Sequence, residues 1–151
     1  MSYDKVMTAV TDLVQALHQL IEETQRNMGA VIHASIGMLP ELTLSYKKTI
    51  YHALQEGLTN GIRHGESKEF YFTLEYVKSM IKMKLKDCGI GASEIHLGFG
   101  LTAMRERVEQ LGGQFVIDSE PDQGCLLRIE LPYSMRDTGG LDAYDSNIDR
   151  R

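Results

Sequence analysis

A chain of 151 residues, 42% hydrophobic and 25% charged, has the balance of a soluble globular domain and the length for one core of ordinary size. A net charge of −5 leaves no general electrostatic footprint for nucleic acid or an anionic membrane, and no apolar run approaches the ~20 residues that span a bilayer. The two cysteines, Cys88 and Cys125, are too few and too far apart for a disulfide framework or a zinc knuckle. Asp4, Lys5 and Asp12 stand where a signal peptide needs an apolar region, so a reducing, cytoplasmic setting is expected.

Val6, Val10, Leu13, Val14, Leu17, Leu20 and Ile21 mark an amphipathic helix that runs to about Asn27, where Asn27-Met28-Gly29 supplies a stop. His18, with Glu22 one turn on, could be oriented for nucleophilic work, but the plainer reading is a histidine at the edge of an amphipathic face. Residues 30–36 read as a strand and 37–40 as a loop, with Thr43 or Ser45 as candidate N-caps of the next helix.

That helix, centred on residues 50–64, organises the chain. Ile50, Ala53, Leu54, Gly57, Leu58, Gly61 and Ile62 recur at the spacing of one buried face. At about 100° per residue, Glu56, Asn60 and His64 fall within about 80° of arc and make a polar column beside it. Gly57 and Gly61 each cost roughly 1 kcal/mol relative to alanine in a helix interior, which predicts that something packs close to the backbone there. A carboxylate, a carboxamide and an imidazole on one edge suit a hydrated divalent cation and the phosphates it carries, although alone the stretch reads more readily as a solvated edge. His52 and Glu56 share zinc-like spacing, but no third ligand is evident.

After His64-Gly65 the period changes from helical to alternating. Phe70, Phe72, Leu74 and Tyr76 alternate with polar residues, and a turn near Lys78-Ser79 leads into residues 80–86, where Lys82, Lys84 and Lys86 face away from Ile81, Met83 and Leu85. This predicts an antiparallel pair with one wet face, and Met80 and Met83 as gap-fillers in its core. Two glycine-rich turns follow, Asp87-Cys88-Gly89-Ile90-Gly91 and Gly98-Phe99-Gly100-Leu101. The second opens a helix with a buried stripe of Leu101, Met104, Val108 and Leu111 and a stop at Gly112-Gly113. Residues 114–119 and 125–131 close the domain as a hairpin, ended by Pro132, and residues 134–151 read as a disordered tail.

The glycine turns fit neither common phosphate-binding fingerprint. Gly89-x-Gly91 follows a strand but has Glu94 in the third glycine position and no helix behind it, and no Gly-Lys-Ser or Gly-Lys-Thr occurs. Together they suggest another site. An aspartate at a strand end, followed by glycines that let a planar ring approach the backbone, can accept a hydrogen bond from an adenine amino group. Gly98 and Gly100 present bare N–H groups at a helix start, where phosphate binds, and Asn60 holds Mg²⁺ from the opposite wall.

With these stretches assembled, a resemblance is visible. Glu56-x-x-x-Asn60-x-x-x-His64 resembles the N-box of the ATP-binding domain of two-component sensor histidine kinases, Asp87-x-Gly89-x-Gly91 their first glycine box and Gly98-x-Gly100-Leu101 their second. The run from Leu101 to Gln114 is similar to the subfamily with a very short ATP lid. The resemblance covers roughly residues 13–132. It implies the Bergerat fold of the GHKL superfamily, a two-layer α/β sandwich with a mixed sheet and helices on one face. It also implies ATP and Mg²⁺ as ligands, with Asn60 on the metal, Asp87 reading adenine, and Gly89 and Gly91 shaping its pocket. Gly98, Gly100 and Leu101 then lie at the phosphates, Glu56 orients or deprotonates the nucleophile, and His64 or Arg63 meets phosphate. The implied function is donation of the γ-phosphoryl group to a histidine on a dimerisation domain absent from this chain, with a response regulator downstream.

The chain departs from that family where Cys88 replaces an acidic or amide residue and Cys125 a threonine. The lost hydroxyl removes a water-mediated contact near Asp87, and the two thiols are expected as neighbours at the pocket rim. Only one helix precedes the first strand, and the residue directly after His18 is not acidic. The expected organisation is therefore residues 1–12 as a remnant of the dimerisation hairpin, 13–133 as the ATP-binding domain and 134–151 as tail. An isolated monomer is expected, with no direct membrane contact, cut from a protein that can be anchored elsewhere. A free-standing anti-sigma-factor-type serine kinase and a nucleotide-binding docking module without transfer activity are the competing functions.

Overall fold

The computed structural model describes residues 12–90 and 99–134. The expectations for the hairpin remnant before Asp12, the tail after Ser134, and Gly91 and Gly98 lie outside the described residues. Helix α1, Leu13–Met28, starts on Asp12, whose carboxylate accepts from the Val14 N–H at 2.9 Å. It stops at Gly29 in the left-handed conformation, φ 68°, as the Asn-Met-Gly run predicts. Leu13, Leu17 and Ile21 are buried, while His18 and Glu22 face solvent. Strand β1, Val31–Ile36, leads through a loop to α2, Leu44–Arg63, with Thr43 at the N-cap position but making no side-chain cap bond.

Strands β2, Glu69–Val77, and β3, Met80–Asp87, form the expected antiparallel pair, joined by Lys78 and Ser79 at φ 53° and 62°. Helix α3, Phe99–Gln110, is followed by β4, Gln114–Ser119, and β5, Cys125–Pro132. The strand order is β1-β2-β3-β5-β4, with β1 parallel to β2 and the other pairings antiparallel, so the sheet is mixed.

One face of this sheet carries the helices. Phe70, Phe72 and Leu74 of β2, Ile81, Met83 and Leu85 of β3, and Leu127, Ile129 and Leu131 of β5 point inward. They form one core with Leu17, Ile50, Leu54, Leu58, Met104 and Val108. The opposite face carries Tyr71, Thr73, Lys84 and Arg128 in solvent. Met83 fills the core as expected, but Met80 does not: alternation puts it on the lysine face, half-buried.

Tyr133, just past Pro132, is buried. Its hydroxyl donates to the Glu41 carbonyl at 2.8 Å, its N–H to Ser79 at 2.9 Å, and its ring meets Tyr46 edge-on at 4.6 Å. Among the described residues no helix is long and apolar enough to cross a membrane.

Candidate functional site

The site begins where β3 runs out of hydrophobic residues. Alternation carries Ile81, Met83 and Leu85 inward, so the next inward position is Asp87, and its carboxylate is delivered into the space between sheet and helices at 7% exposure. Bare backbone surrounds it. A Cβ on Gly61 of α2 would come within 2.5 Å of the Phe70 ring and 3.4 Å of Asp87 Oδ2, one on Gly89 would strike the Gly65 carbonyl, and one on Gly124 would strike the Asp87 carbonyl. The Gly89 N–H donates to Asp87 Oδ1 at 2.9 Å. One carboxylate oxygen is thus held by a peptide group while the other lies towards α2. An ionised carboxylate only accepts, so this group selects a hydrogen-bond donor.

The segment after Asp87 is tied on both sides. The Ile90 N–H donates to the Gly65 carbonyl at 2.8 Å, and the Cys88 N–H to the Glu69 carbonyl and to Ser67 Oγ at 3.1 and 3.2 Å. From the β4–β5 turn the Asp122 N–H reaches the Ile90 carbonyl, and the Lys86 ammonium donates to the Gln123 carbonyl. Gly65, Ser67 and Gly124 escaped the sequence reading as site residues. Ser67 is buried, yet it sits in a short turn with no periodicity to mark it. Gly124 read only as a turn glycine, although it takes φ 73° against Asp87.

The polar edge of α2 joins this point to the start of α3. At its C-terminal end Gly61 and Gly65 lie beside Asp87, so that a Cβ on them would come to 3.4 and 3.7 Å from its carboxylate, and His64, exposed at the C-cap with Arg63 beside it, stands next to Gly65. Two turns earlier the Glu56 carboxylate lies against Gly100, where a Cβ would come within 2.8 Å of Oε1 and closer still to Oε2. Asn60 is half-buried between these ends. Leu101 is itself buried, so its backbone is what it offers the cleft. His52 Nε2 is 3.9 Å from Glu56 Oε1. Burial lowers the His52 pKa, the charge of Arg107 from α3 lowers it further, and Glu56 opposes both. Among the described residues no three His, Cys, Asp or Glu gather as a metal cluster.

Residues 46–135 match the family described as histidine kinase-, DNA gyrase B- and HSP90-like ATPases. The chain belongs to this family. Among relatives of the ATPase domain, the sensor histidine kinase LnrJ of Bacillus subtilis (strain 168) is 34% identical over 78% of this chain and 30% of its own length. The signal transduction histidine-protein kinase/phosphatase DegS of the same organism is 30% identical over 82% and 34%. The chain thus spans about a third of these relatives. The fold matches the histidine kinase domain of the Erythrobacter litoralis EL346 blue-light activated histidine kinase with a TM-score of 0.74 at 16% identity, over 88% of this chain and 66% of that one.

Within this ATPase domain the two cysteines do not meet. Cys125 pairs with Asp87 across the β3–β5 ladder, so their side chains share the inward face. Burial raises the Cys125 thiol to about 11, with the Asp87 charge adding to the shift. Cys88 is exposed, and its charge acts on Tyr71, an outward-facing residue of β2. A one-residue step along an extended chain reverses the face, so the thiols lie on opposite sides of the sheet and not together at the rim. The inward position of Cys125 beside Asp87 is where the sequence placed the missing hydroxyl.

Proposed function

We propose that this domain binds Mg·ATP and donates the γ-phosphoryl group to a histidine on a dimerisation and phosphoacceptor domain outside the chain, for onward transfer to a response regulator. The observation that carries the reading is the Asp87 carboxylate, buried on the inward face of β3 with Oδ1 held by the Gly89 N–H and Oδ2 turned towards the backbone of α2 at Gly61. On this reading Asp87 Oδ2 accepts from the adenine amino group, and Gly89 and Gly91 shape the base pocket. The polyphosphate runs along the edge of α2 towards Gly98, Gly100 and Leu101, with His64 or Arg63 adding charge.

Asn60, half-buried between Asp87 and Gly100, has the oxygen ligand that a hard cation takes, which fits it to hold Mg²⁺. When bound, that ion neutralises charge on the phosphates. Glu56 takes the proton from the incoming imidazole as its nitrogen bonds to the γ-phosphorus and the bond to the β,γ-bridging oxygen breaks, releasing ADP. Catalysis is then positioning and charge stabilisation. The domain works at the cytoplasmic side, as a monomer when isolated.

Calorimetric titration with ATP, with and without Mg²⁺, tests the pocket. Saturable binding is expected, abolished in Asp87→Asn and changed in its Mg²⁺ dependence in Asn60→Asp. A folded wild-type chain that binds no ATP overturns the reading and leaves a docking module.

A further inference from the structure

Strand β1 lies at one edge of the sheet and pairs only with β2. The Val31 N–H donates to the Lys68 carbonyl and the Gly37 N–H to the Leu74 carbonyl, both at 2.8 Å. Peptide groups alternate in direction along a strand, so Ile32, Ala34 and Ile36 turn theirs outward, away from the sheet. At the first of these a side chain stands in for a strand. Gln25 of α1 sets its carboxamide oxygen 2.8 Å from the Ile32 nitrogen, where the carbonyl of a neighbouring strand would lie. Among the described residues nothing does the same for Ala34 or Ile36, and Ala34 is exposed.

Sheet edges are ordinarily blunted by charge, proline or a covering element. At the far edge β4 carries Asp118, which pairs with Arg128 at 3.6 Å, and Arg105 of α3 lies over the Phe115 ring. Strand β1, Val-Ile-His-Ala-Ser-Ile, has no such guard. Its one titratable side chain, His33, is pinned on the outer face. Nε2 lies 2.9 Å from Glu69 Oε2, the Tyr71 hydroxyl donates to the same oxygen at 3.2 Å, and the two rings stack at 4.6 Å. These groups satisfy one another, so the edge presents no unbalanced charge. Its surroundings are apolar: Val31 and Tyr71 are exposed on the outer face, and Met28 and Met38 are exposed beyond either end of the strand.

We propose that the outer edge of β1 is a docking site for an extended segment of a partner protein, which adds to the sheet as a further strand. Its main chain pairs with Ala34 and Ile36 and takes over Ile32 from Gln25. The segment is uncharged over the paired stretch, because the edge offers no charge to meet. It sets apolar side chains beside Ala34 and Ile36 on the helix side and beside Val31 on the outer side. The His33–Tyr71 stack orders the outer face before a partner arrives, which lowers the entropy cost of docking. Strand β2 separates this edge from β3 and Asp87, and the inference does not depend on what the pocket there binds.

The full chain, isotope-labelled for amide spectra, is titrated with the peptide acetyl-Lys-Val-Thr-Val-Tyr-Val-Lys-amide, whose lysines flank the pairing stretch for solubility. Two further forms carry N-methyl groups on alternate residues, one form for each edge of the peptide. Saturable shifts centred on the Ala34 and Ile36 amides are expected. One methylated form should bind as the parent does and the other at least about tenfold more weakly, since a strand docks by one edge. Gln25→Ala should bind the parent peptide about threefold more tightly, because no capping bond has to be broken first.

Equal binding by the two methylated forms, shifts centred elsewhere, or no shift at Ala34 and Ile36 up to the solubility limit of the peptide overturns the proposal. A stable dimer of the unliganded chain with slowed exchange at these amides does so too, and gives the edge to a second copy.

Discussion

Asp87 and Cys125 are one cross-strand pair, and the contrast between them is where single residues matter most. The carboxylate is placed to accept a donor, while the thiol opposite is held protonated by burial and by the Asp87 charge, at about 11. At pH 8 that leaves about one Cys125 in a thousand as thiolate. A colourless thiol reagent that releases a chromophore should therefore titrate one group rapidly, the exposed Cys88, and the second only after unfolding. Rapid modification of both in the folded chain would show that the half-buried Cys125 thiol is not held protonated beside Asp87. Cys125→Thr restores a hydroxyl beside Asp87 and is expected to tighten adenosine binding by a few-fold, measurable by calorimetry, because a hydrogen bond near a charged acceptor is worth about 1 kcal/mol or more.

At the scale of elements, α2 is seated by what its glycines lack. Helix propensity alone makes Gly→Ala favourable by up to ~1 kcal/mol, but a Cβ on Gly61 meets the Phe70 ring at 2.5 Å, and overpacking a core costs typically ~1–3 kcal/mol. Gly61→Ala should thus lower the denaturation midpoint and also weaken nucleotide binding, since Asp87 Oδ2 lies 3.4 Å from the added carbon. Gly57→Ala meets a methyl of Leu85, which can shift, and should lose less.

The α2–α3 contact carries a pH dependence. The folded state lowers the His52 pKa, so below the unfolded value of about 6.5 the unfolded chain binds more protons. Stability from this group is therefore complete above about 6.5 and falls as pH drops below it. Denaturant midpoints from pH 7.5 to 5.5 should slope less in His52→Gln than in wild type. Equal slopes would remove His52 as the cause.

At the scale of the molecule, Tyr133 fastens the end of the last strand to the loop before α2, through its hydroxyl and the Glu41 carbonyl, and accepts from the Tyr76 hydroxyl at 2.8 Å. Tyr133→Ala should cost ~3–5 kcal/mol, the scale of a large buried aromatic, and Tyr133→Phe ~1 kcal/mol, both read from chemical denaturation. The chain spans about a third of its curated relatives, and the proposed transfer needs a partner domain. Incubation with ATP alone should leave the chain unphosphorylated, while an added two-helix phosphoacceptor domain should gain an acid-labile phosphate. Label on His18 of the isolated chain would contradict that division of labour.

Much of this was legible in the chain because the signals are local. The switch from a 3.6 to a 2.0 period after His64, the alternating lysines of β3, and the glycine stops at Gly29 and Gly112 each follow from backbone geometry within a few residues. The same holds for Glu56 and Asn60 sharing a helical edge, and for the close packing forecast at Gly57 and Gly61. What the sequence left open depends on which strands become neighbours. Only the β3–β5 register sets Cys125 opposite Asp87, and only strand order brings Gly124 and Ser67 to the segment after Asp87, whereas the faces of Met80 and Cys88 follow from alternation along β3 itself. Likewise, only the packing of α3 on α2 lays the Glu56 carboxylate on Gly100. Periodicity is written into consecutive residues by the backbone, whereas contacts between distant segments are chosen by the burial of the whole core, which no single stretch encodes.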